Sequence, residues 1–331
     1  MAVSTKAEIL KAIRNSSDHI SGQELCEQLG VSRTAVWKVI KQLQAEGYDI
    51  EAVTNKGYRL LSYPDVLSGS ELMSRMNTKW AGQRVYFRKE TESTNEDAKY
   101  MAEEGKEHGS LVVADAQTAG RGRRGRSWES PPGQDIYMSL LLRPDFSPEK
   151  ASMLTLLMAV SVAEVINGLY PDMKVNIKWP NDILVGERKI CGILTEMNAE
   201  PDYIHNVIIG VGINVNRKDF PPEIEEFATS LRLVHGEMID RAQIIVGIMD
   251  YFEYYYGIFA ERLDVSDFVH IYDGYLVNRG REVRVLDPKG EYSGVAEGIN
   301  DKGELIVKLP DGSSTTVASG EVSVRGIYGY V

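Results

Sequence analysis

The segment from Gly120 to Trp128 constrains the fold of this chain most, because it packs three glycines and four arginines into nine residues. Its spacing, G-x-G-x-x-G, matches the fingerprint of a dinucleotide-binding fold, which requires a helix directly after the glycines. Pro131 and Pro132 follow instead, and proline disfavours such a helix. The sequence therefore predicts an irregular loop that binds anions through backbone N–H groups and forked guanidinium donors, the alternative being a solvated basic loop.

The chain around this loop is acidic, with a formal net charge of -11 over 331 residues. That charge excludes a protein that is basic throughout, but it allows a DNA-binding module with one basic face. The two cysteines, Cys26 and Cys191, form no metal-binding or disulfide pattern, so we expect reduced thiols and a cytoplasmic protein. The apolar run from Leu154 to Ile166 is too short for a membrane span and predicts a buried helix, with no membrane partner.

Residues 1–65 show the pattern of a winged helix-turn-helix. Three short helical patterns are separated by small breaks, and Ser21 and Ser32 stand at N-cap positions. Two strand-like runs follow, around the turn at residues 54–56. Basic residues gather on the third helix and the expected wing, and we expect a dimer because paired DNA half-sites need paired readers. The candidate DNA-binding residues are Ser32, Arg33, Thr34, Trp37, Lys38, Lys41, Lys56 and Arg59.

Residues 66–272 mix strands with helices predicted at 95–104, 150–168 and 241–262. Several of these strands follow one another without a helix between them, so we expect an α+β domain with a mixed or antiparallel sheet. From residue 273 to 331, short alternating runs are separated by turn signals such as Asn300–Gly303. That spacing predicts a small β barrel.

Four further motifs in the middle region carry polar or glycine residues at strand and helix ends. They are Glu92–Asn95, Lys178–Asp182, Lys189–Leu194 and Gly210–Asn214. A lysine such as Lys189 is commonly just exposed, but one that faces a carboxylate and a phosphate would reduce their repulsion. Two glycines within the apolar strand 207–213 indicate either a bulge or the close approach of a ligand or another backbone.

Together with the segment Gln117–Trp128, these motifs occur in the order seen in biotin–protein ligases, and the chain resembles that family over nearly its whole length. The two terminal domains resemble those of the bifunctional subgroup, the biotin operon repressors. The resemblance implies a central domain like that of class II synthetases and an SH3-like C-terminal barrel. It also implies a biotin–[acetyl-CoA-carboxylase] ligase that uses ATP and Mg²⁺ to form biotinyl-5′-adenylate.

The resemblance further implies that biotin passes from the adenylate to a lysine of the biotin carboxyl carrier protein. The adenylate would also favour a homodimer that binds the operator DNA of biotin genes. Lys189 and Arg123 would be catalytic, while the resemblance leaves the magnesium ligands unknown. Biotin would contact Ser93, Thr94, Asn95, Gln117, Arg121, Gly122, Arg123, Lys189 and Gly192. ATP or the adenylate would contact Arg121, Arg123, Arg124, Arg126, Trp128, Asn181, Asp182, Lys189 and Asn214.

Two alternatives stay open at the level of sequence. One is a winged-helix repressor whose second domain senses a nucleotide without catalysis. The other is a lipoate–protein ligase, whose domain has a related fold. Biotin-dependent exchange between ATP and pyrophosphate separates these alternatives from a biotin ligase.

Overall fold

The computed structural model describes residues 4–287, 290–319 and 323–326. The chain divides into two compact units, each made of two segments. The first consists of Met1–Asn77 with Asp240–Val246, and the second of Thr78–Ile239 with Gly247–Val331.

The first unit contains a helix-turn-helix followed by a β hairpin. Its elements are α1 (Thr5–Asn15), α2 (Gly22–Leu29), α3 (Arg33–Ala45), β1 (Asp49–Val53), β2 (Gly57–Ser62) and α4 (Gly69–Arg75). The predicted caps are present, because the side chains of Ser21 and Ser32 accept the backbone N–H groups of Glu24 and Ala35. Leu10, Leu25 and Ile40, one from each of the first three helices, are fully or almost fully buried in its core. The helix-turn-helix expected from the sequence is therefore confirmed.

Helix α4 brings a buried carboxylate into this unit. Glu71 is fully buried and accepts hydrogen bonds from Arg14 Nη2 at 2.9 Å, Arg75 Nε at 2.6 Å and the Tyr48 hydroxyl at 2.7 Å. Arg75 Nη1 also donates to Asp240 at 2.6 Å. A buried charge requires such partners. This cluster therefore links α1 and α4 to Tyr48, the residue directly before β1.

The second unit is built on a seven-stranded mixed sheet with the order β3-β4-β5-β9-β8-β7-β6. Only β3 and β4 run parallel to each other, and all other neighbours are antiparallel. This arrangement confirms the predicted mixed sheet. The strands are β3 (Arg84–Arg88), β4 (Ser110–Ala114), β5 (Ile136–Leu142), β6 (Val175–Lys178), β7 (Asp182–Val185), β8 (Arg188–Ala199) and β9 (Ile204–Ile213).

The chain forms five α-helices between residues 94 and 275. Three of them lie within a few residues of the predicted ranges 95–104, 150–168 and 241–262, and the two short ones, at 231–235 and 269–275, were not predicted. The five helices are α5 (Thr94–Glu103), α6 (Met153–Leu169), α7 (Leu231–His235), α8 (Arg241–Arg262) and α9 (Val269–Tyr275). The stretch Pro148–Leu169 is long and apolar enough to cross a membrane by length and composition, and 72% of an 18-residue apolar window within it is buried inside the protein. Packing in the core therefore accounts for its apolar sequence.

A five-stranded antiparallel sheet with the order β13-β12-β11-β10-β14 follows α9. Its strands are β10 (Glu282–Leu286), β11 (Tyr292–Ile299), β12 (Leu305–Lys308), β13 (Ser314–Val317) and β14 (Ser323–Gly326). Val283, Val285, Leu305 and Val307 point inward and are fully buried. Trp179 Nε1 donates to the carbonyl of Gly303 at 3.1 Å, so this small sheet packs directly on the loop between β6 and β7.

Candidate active site

The glycine-arginine loop is folded back on itself by its own backbone. Gly122 N donates to Arg126 O at 2.7 Å, and Trp128 N donates to Gly120 O at 2.8 Å. Between them, residues 123–125 form one 3₁₀ turn in which Arg124 has a φ of 57°. A left-handed φ is unfavourable for an arginine, and the hydrogen bonds of the loop's own backbone on either side close this turn. No α-helix begins directly after the loop, where the described chain leads instead into β5, as Pro131 and Pro132 led us to expect.

The glycines of β8 and β9 serve two side chains of the chain itself. A Cβ atom added at Gly212 would lie 2.7 Å from Trp128 Cε2, and one at Gly192 would lie 3.1 Å from Trp128 Cζ3. A Cβ atom at Gly210 would lie 2.1 Å from Asn95 Oδ1. The sequence left open a bulge or the approach of a ligand or another backbone, whereas in the structure side chains of this chain, Trp128 and Asn95, lie against these glycines.

A small cavity of about 50 Å³ lies beneath the loop. All nine residues that the resemblance assigns to biotin line it: Ser93, Thr94, Asn95, Gln117, Arg121, Gly122, Arg123, Lys189 and Gly192. Five lining residues were not predicted, namely Ile193, Leu194 and Val211, which are apolar, and the glycines Gly210 and Gly212. The cavity therefore has one polar and one apolar side, which suits a ligand with a polar head and an apolar body.

The polar side of the small cavity is a hydrogen-bonded chain of buried groups. Gln117 Oε1 accepts the backbone N–H of Thr94 at 2.9 Å, so Gln117 caps the N-terminus of α5. Gln117 Nε2 donates to Ser130 Oγ at 2.9 Å. The Ser139 hydroxyl lies 2.8 Å from Thr94 Oγ1 and 2.6 Å from Asn95 Oδ1. Because each amide and hydroxyl has a partner, the directions of its donors are restricted.

A larger cavity of about 360 Å³ adjoins the small one. Eight of the nine residues that the resemblance assigns to ATP or the adenylate line it: Arg123, Arg124, Arg126, Trp128, Asn181, Asp182, Lys189 and Asn214. Arg121 lines the small cavity instead, and its exposed guanidinium lies 3.2 Å from Glu96 Oε1. Asn214 is almost fully buried and donates through Nδ2 to Thr229 O at 3.1 Å.

The segment after β9 adds lining residues that sequence reasoning missed. Phe220, Ile224 and Phe227 supply apolar walls to the larger cavity, and Arg217 lies beside them. Arg217 is 3% exposed, stacks 5.1 Å from the Phe220 ring and pairs with the buried Asp135. Apolar residues recurring within the acidic stretch 219–226 were the available signal, but only the fold shows that they face a cavity.

The two cavities share a wall that carries two cations. Its members are Gly122, Arg123, Trp128, Asn181 and Lys189. Lys189 Nζ lies 2.6 Å from Asp182 Oδ1 and 5.3 Å from the centre of the Trp128 ring. Arg123 donates to Asn181 Oδ1 and to the carbonyl of Ser319, each at 2.8 Å, and burial lowers its pKa. Such a wall can offset the repulsion between two anions, one in each cavity.

Among the described residues there is no group of three or more histidine, cysteine or acidic side chains that could hold a metal ion. Magnesium commonly binds through one or two carboxylates together with substrate phosphates. Asp182 is such a carboxylate and lines the larger cavity. The residues present therefore fit a metal ion that arrives with a nucleotide.

All eight candidate DNA-binding residues are exposed in the first unit. Six belong to α3 or its cap, where the Trp37 side chain is 54% exposed. Arg33 donates to Gln23 of α2 at 2.7 Å. Lys56 lies in the turn of the β1–β2 hairpin and Arg59 on β2. The fold thus leaves α3 and the hairpin accessible to an extended partner.

Three family models match successive parts of the chain. Residues 5–59 match the HTH domain, residues 86–214 match the Biotin/lipoate A/B protein ligase family, and residues 280–325 match the Biotin protein ligase C terminal domain.

Known proteins agree with these matches. Bifunctional ligase/repressor BirA of Bacillus subtilis is 43% identical over 298 residues, which is 89% of this chain and 91% of that protein. The protein of the same name from Escherichia coli is 29% identical and covers 96% of each chain. A biotin protein ligase from Aquifex aeolicus, solved with biotin and ATP, superposes with a TM-score of 0.64 at 30% identity, covering 74% of this chain and 99% of that one.

One family accounts for three features of this chain: the order of the matched regions, the two cavities that meet at Lys189 and Arg123, and the exposed helix α3. This chain belongs to the family of bifunctional biotin–protein ligases and repressors.

Proposed function

We propose that this chain joins biotin to ATP in the two adjoining cavities, with biotin in the small one and the nucleotide in the larger one. The observation that carries the proposal is the shared wall, where Lys189 and Arg123 face both spaces. The biotin carboxylate attacks the α-phosphate of ATP, biotinyl-5′-adenylate forms, and pyrophosphate leaves. Because both reactants are anions, cations fixed at their meeting point lower the barrier.

Each lining residue has a separate role in binding or catalysis, which follows from its surroundings. The polar chain around Thr94 and Gln117 receives the ureido ring of biotin, whose C=O and N–H groups need partners once buried. Lys189 contacts the carboxylate or the α-phosphate, and Asp182 holds its ammonium group in place. The Trp128 ring and the apolar wall around Phe227 enclose the adenine, next to Asn214. Arg121, Arg124 and Arg126 supply further positive charge to the phosphates.

The glycine-arginine loop opens to admit ligand and closes over the product. A cavity of about 50 Å³ holds only a few water molecules, so biotin enters once the loop has moved. Closure then shields the mixed anhydride from water until an acceptor lysine arrives. That lysine, on the biotin carboxyl carrier protein, attacks the acyl carbon and releases AMP, without a covalent bond to the ligase. Magnesium, held by Asp182 and the phosphates, would offset the charge of the triphosphate.

The first unit acts as the DNA-binding module, with α3 as recognition helix and the β1–β2 hairpin as wing. In this proposal the adenylate-bound chain forms a homodimer, and the dimer binds the operator of biotin genes in the cytoplasm. Coupling of this kind is reciprocal, so operator DNA would also strengthen adenylate binding. The fold proposed for the catalytic domain is that of class II synthetases, and the C-terminal sheet is an SH3-like barrel.

Biotin-dependent exchange of labelled pyrophosphate into ATP tests substrate and reaction together. We expect exchange with biotin and none with lipoate in its place. Exchange with lipoate alone would identify a lipoate ligase, and no exchange with either would leave a nucleotide-sensing repressor. For the second function, a gel shift with operator DNA should tighten when biotin and ATP are added, and equal affinity in both conditions would contradict the corepressor role.

A further inference from the structure

The two shortest hydrogen bonds of the Asn95 side chain are to Glu196 and Ser139, which do not line the small cavity. Asn95 Nδ2 donates to Glu196 Oε2 at 2.7 Å and lies 3.4 Å from the carbonyl of Leu194. Its Oδ1 accepts from Ser139 Oγ at 2.6 Å. An amide has two N–H donors, and both are directed toward β8. Asn95 therefore presents an acceptor, and no donor, to the remaining polar chain.

Glu196 is the charged member of this arrangement. It lies on β8, and its second oxygen accepts from Lys99 Nζ at 2.8 Å. Partial burial alone would raise the pKa of Glu196, but hydrogen bonds from Lys99 and Asn95 outweigh it and hold the pKa below its usual value. The carboxylate is thus ionised at neutral pH and can only accept hydrogen bonds. It allows one orientation of the Asn95 amide, with nitrogen toward Glu196.

That orientation is passed on through Ser139 to the groups that line the cavity. Ser139 has one hydroxyl proton, which it shares between Asn95 Oδ1 at 2.6 Å and Thr94 Oγ1 at 2.8 Å. The acceptor that Asn95 presents therefore competes with Thr94 for this proton, while the Thr94 hydroxyl donates to Gln117 Oε1 at 3.2 Å. Asn95 lies close to the backbone of β9, since a Cβ atom added at Gly210 would stand 2.1 Å from its Oδ1. The hydrogen bonds of this buried network are coupled, and their directions depend on one charged acceptor, Glu196. Loss of that acceptor therefore changes all of them together.

We propose that Glu196 is a positioning residue that sets the hydrogen-bond direction of the small cavity's polar side, and so determines its affinity for a cyclic urea such as the head of biotin. Glu196 touches neither the cavity nor the reacting atoms, and acts through Asn95, Ser139 and Thr94. This inference rests on the proposed function, because the cyclic urea is the part of biotin that the polar side would recognise.

The test compares Glu196→Leu, which removes the acceptor, with Glu196→Gln, which keeps an acceptor oxygen for Asn95. In pyrophosphate exchange, we expect Glu196→Leu to raise KM for biotin by roughly tenfold or more, as loss of a hydrogen bond to a charged group does. KM for ATP and kcat should stay within about twofold. Glu196→Gln should restore KM for biotin to within about threefold of the unsubstituted chain. Glu196→Ala is tested in parallel and carries the same expectation if the leucine variant does not fold.

Two controls separate positioning from general destabilisation. Lys99→Met removes the other partner of Glu196 but leaves the contact with Asn95, so KM for biotin should change less than twofold. Glu200→Gln changes an exposed carboxylate of the same hairpin, which lies 3.2 Å from His205, and should have no effect. An unchanged KM for biotin in both Glu196→Leu and Glu196→Ala, or equal increases in KM for biotin and ATP, would overturn the inference. Absence of exchange in the unsubstituted chain would instead refute the proposed function.

Discussion

Gly212→Ala tests whether both cavities keep their shape only when the Trp128 ring packs directly against a glycine backbone. The added Cβ would stand 2.7 Å from Trp128 Cε2 and Nε1, whereas ordinary contacts begin at 3.4 Å. The ring must therefore move by several tenths of an ångström. Gly212 lies on β9 in the middle of the sheet, and the ring belongs to a surface loop, so the ring is the partner that moves.

The displacement removes space from both cavities, because Trp128 lines each of them. Overpacking of this kind costs about 1–3 kcal/mol. When this cost is subtracted from the free energy of ligand binding, the dissociation constants for biotin and ATP rise roughly 5- to 150-fold. Thermal stability should change little, since the unliganded loop can shift. Gly192→Ala, with its nearest Trp128 atom at 3.1 Å, should give a smaller increase in both constants.

Separate isothermal titrations, one with biotin alone and one with ATP alone, measure the two constants without turnover. Gly168→Ala on α6 is the matched control, because an added Cβ there meets nothing within 4 Å, and both constants should be unchanged. If Gly212→Ala binds biotin and ATP as tightly as the unsubstituted chain, Trp128 does not shape the cavities in the way described.

Four other predictions follow from the structure. Glu71→Ala leaves the partly buried Arg14 without its carboxylate and Arg75 with Asp240 alone, and should destabilise the first unit by about 3 kcal/mol; operator binding in a gel shift should weaken while pyrophosphate exchange continues. Arg123→Gly should let biotinyl-adenylate escape, seen as faster release from a gel-filtered complex. Lys189→Ala should slow adenylation severely in single-turnover assays, and unchanged pyrophosphate release would remove Lys189 from the mechanism. The pKa of Glu196 in the folded chain lies below its usual 4.5. The ionised carboxylate therefore stabilises the folded state above pH 4.5, and this stabilisation is lost as the pH falls through the lowered pKa. In urea unfolding, the difference in stability between the unsubstituted chain and Glu196→Gln should shrink below about pH 4.5.

Local patterns were sufficient to predict much of the fold. The capping serines, the spacing of apolar residues in the first three helices and the run of strands without intervening helices each act over a few residues, and each appears in the structure as expected. The resemblance likewise named residues that line two adjoining cavities, since its motifs stand at strand and helix ends that one sheet brings together.

Tertiary structure decided what those patterns leave open, because the partners lie far apart in the chain. The glycines of β9 indicated either a bulge or a close approach, and only the tertiary structure shows that the side chains of Trp128 and Asn95 lie against them. In the sequence, Glu196 is not distinguished from the other residues of its strand. Its role is visible only in the folded chain, where it lies beside Asn95, about a hundred residues away in sequence. The chain's own pattern thus determines its local elements and the chemistry available to it. Packing of distant segments determines which of those groups meet, since hydrogen bonds and steric contacts depend on positions in space.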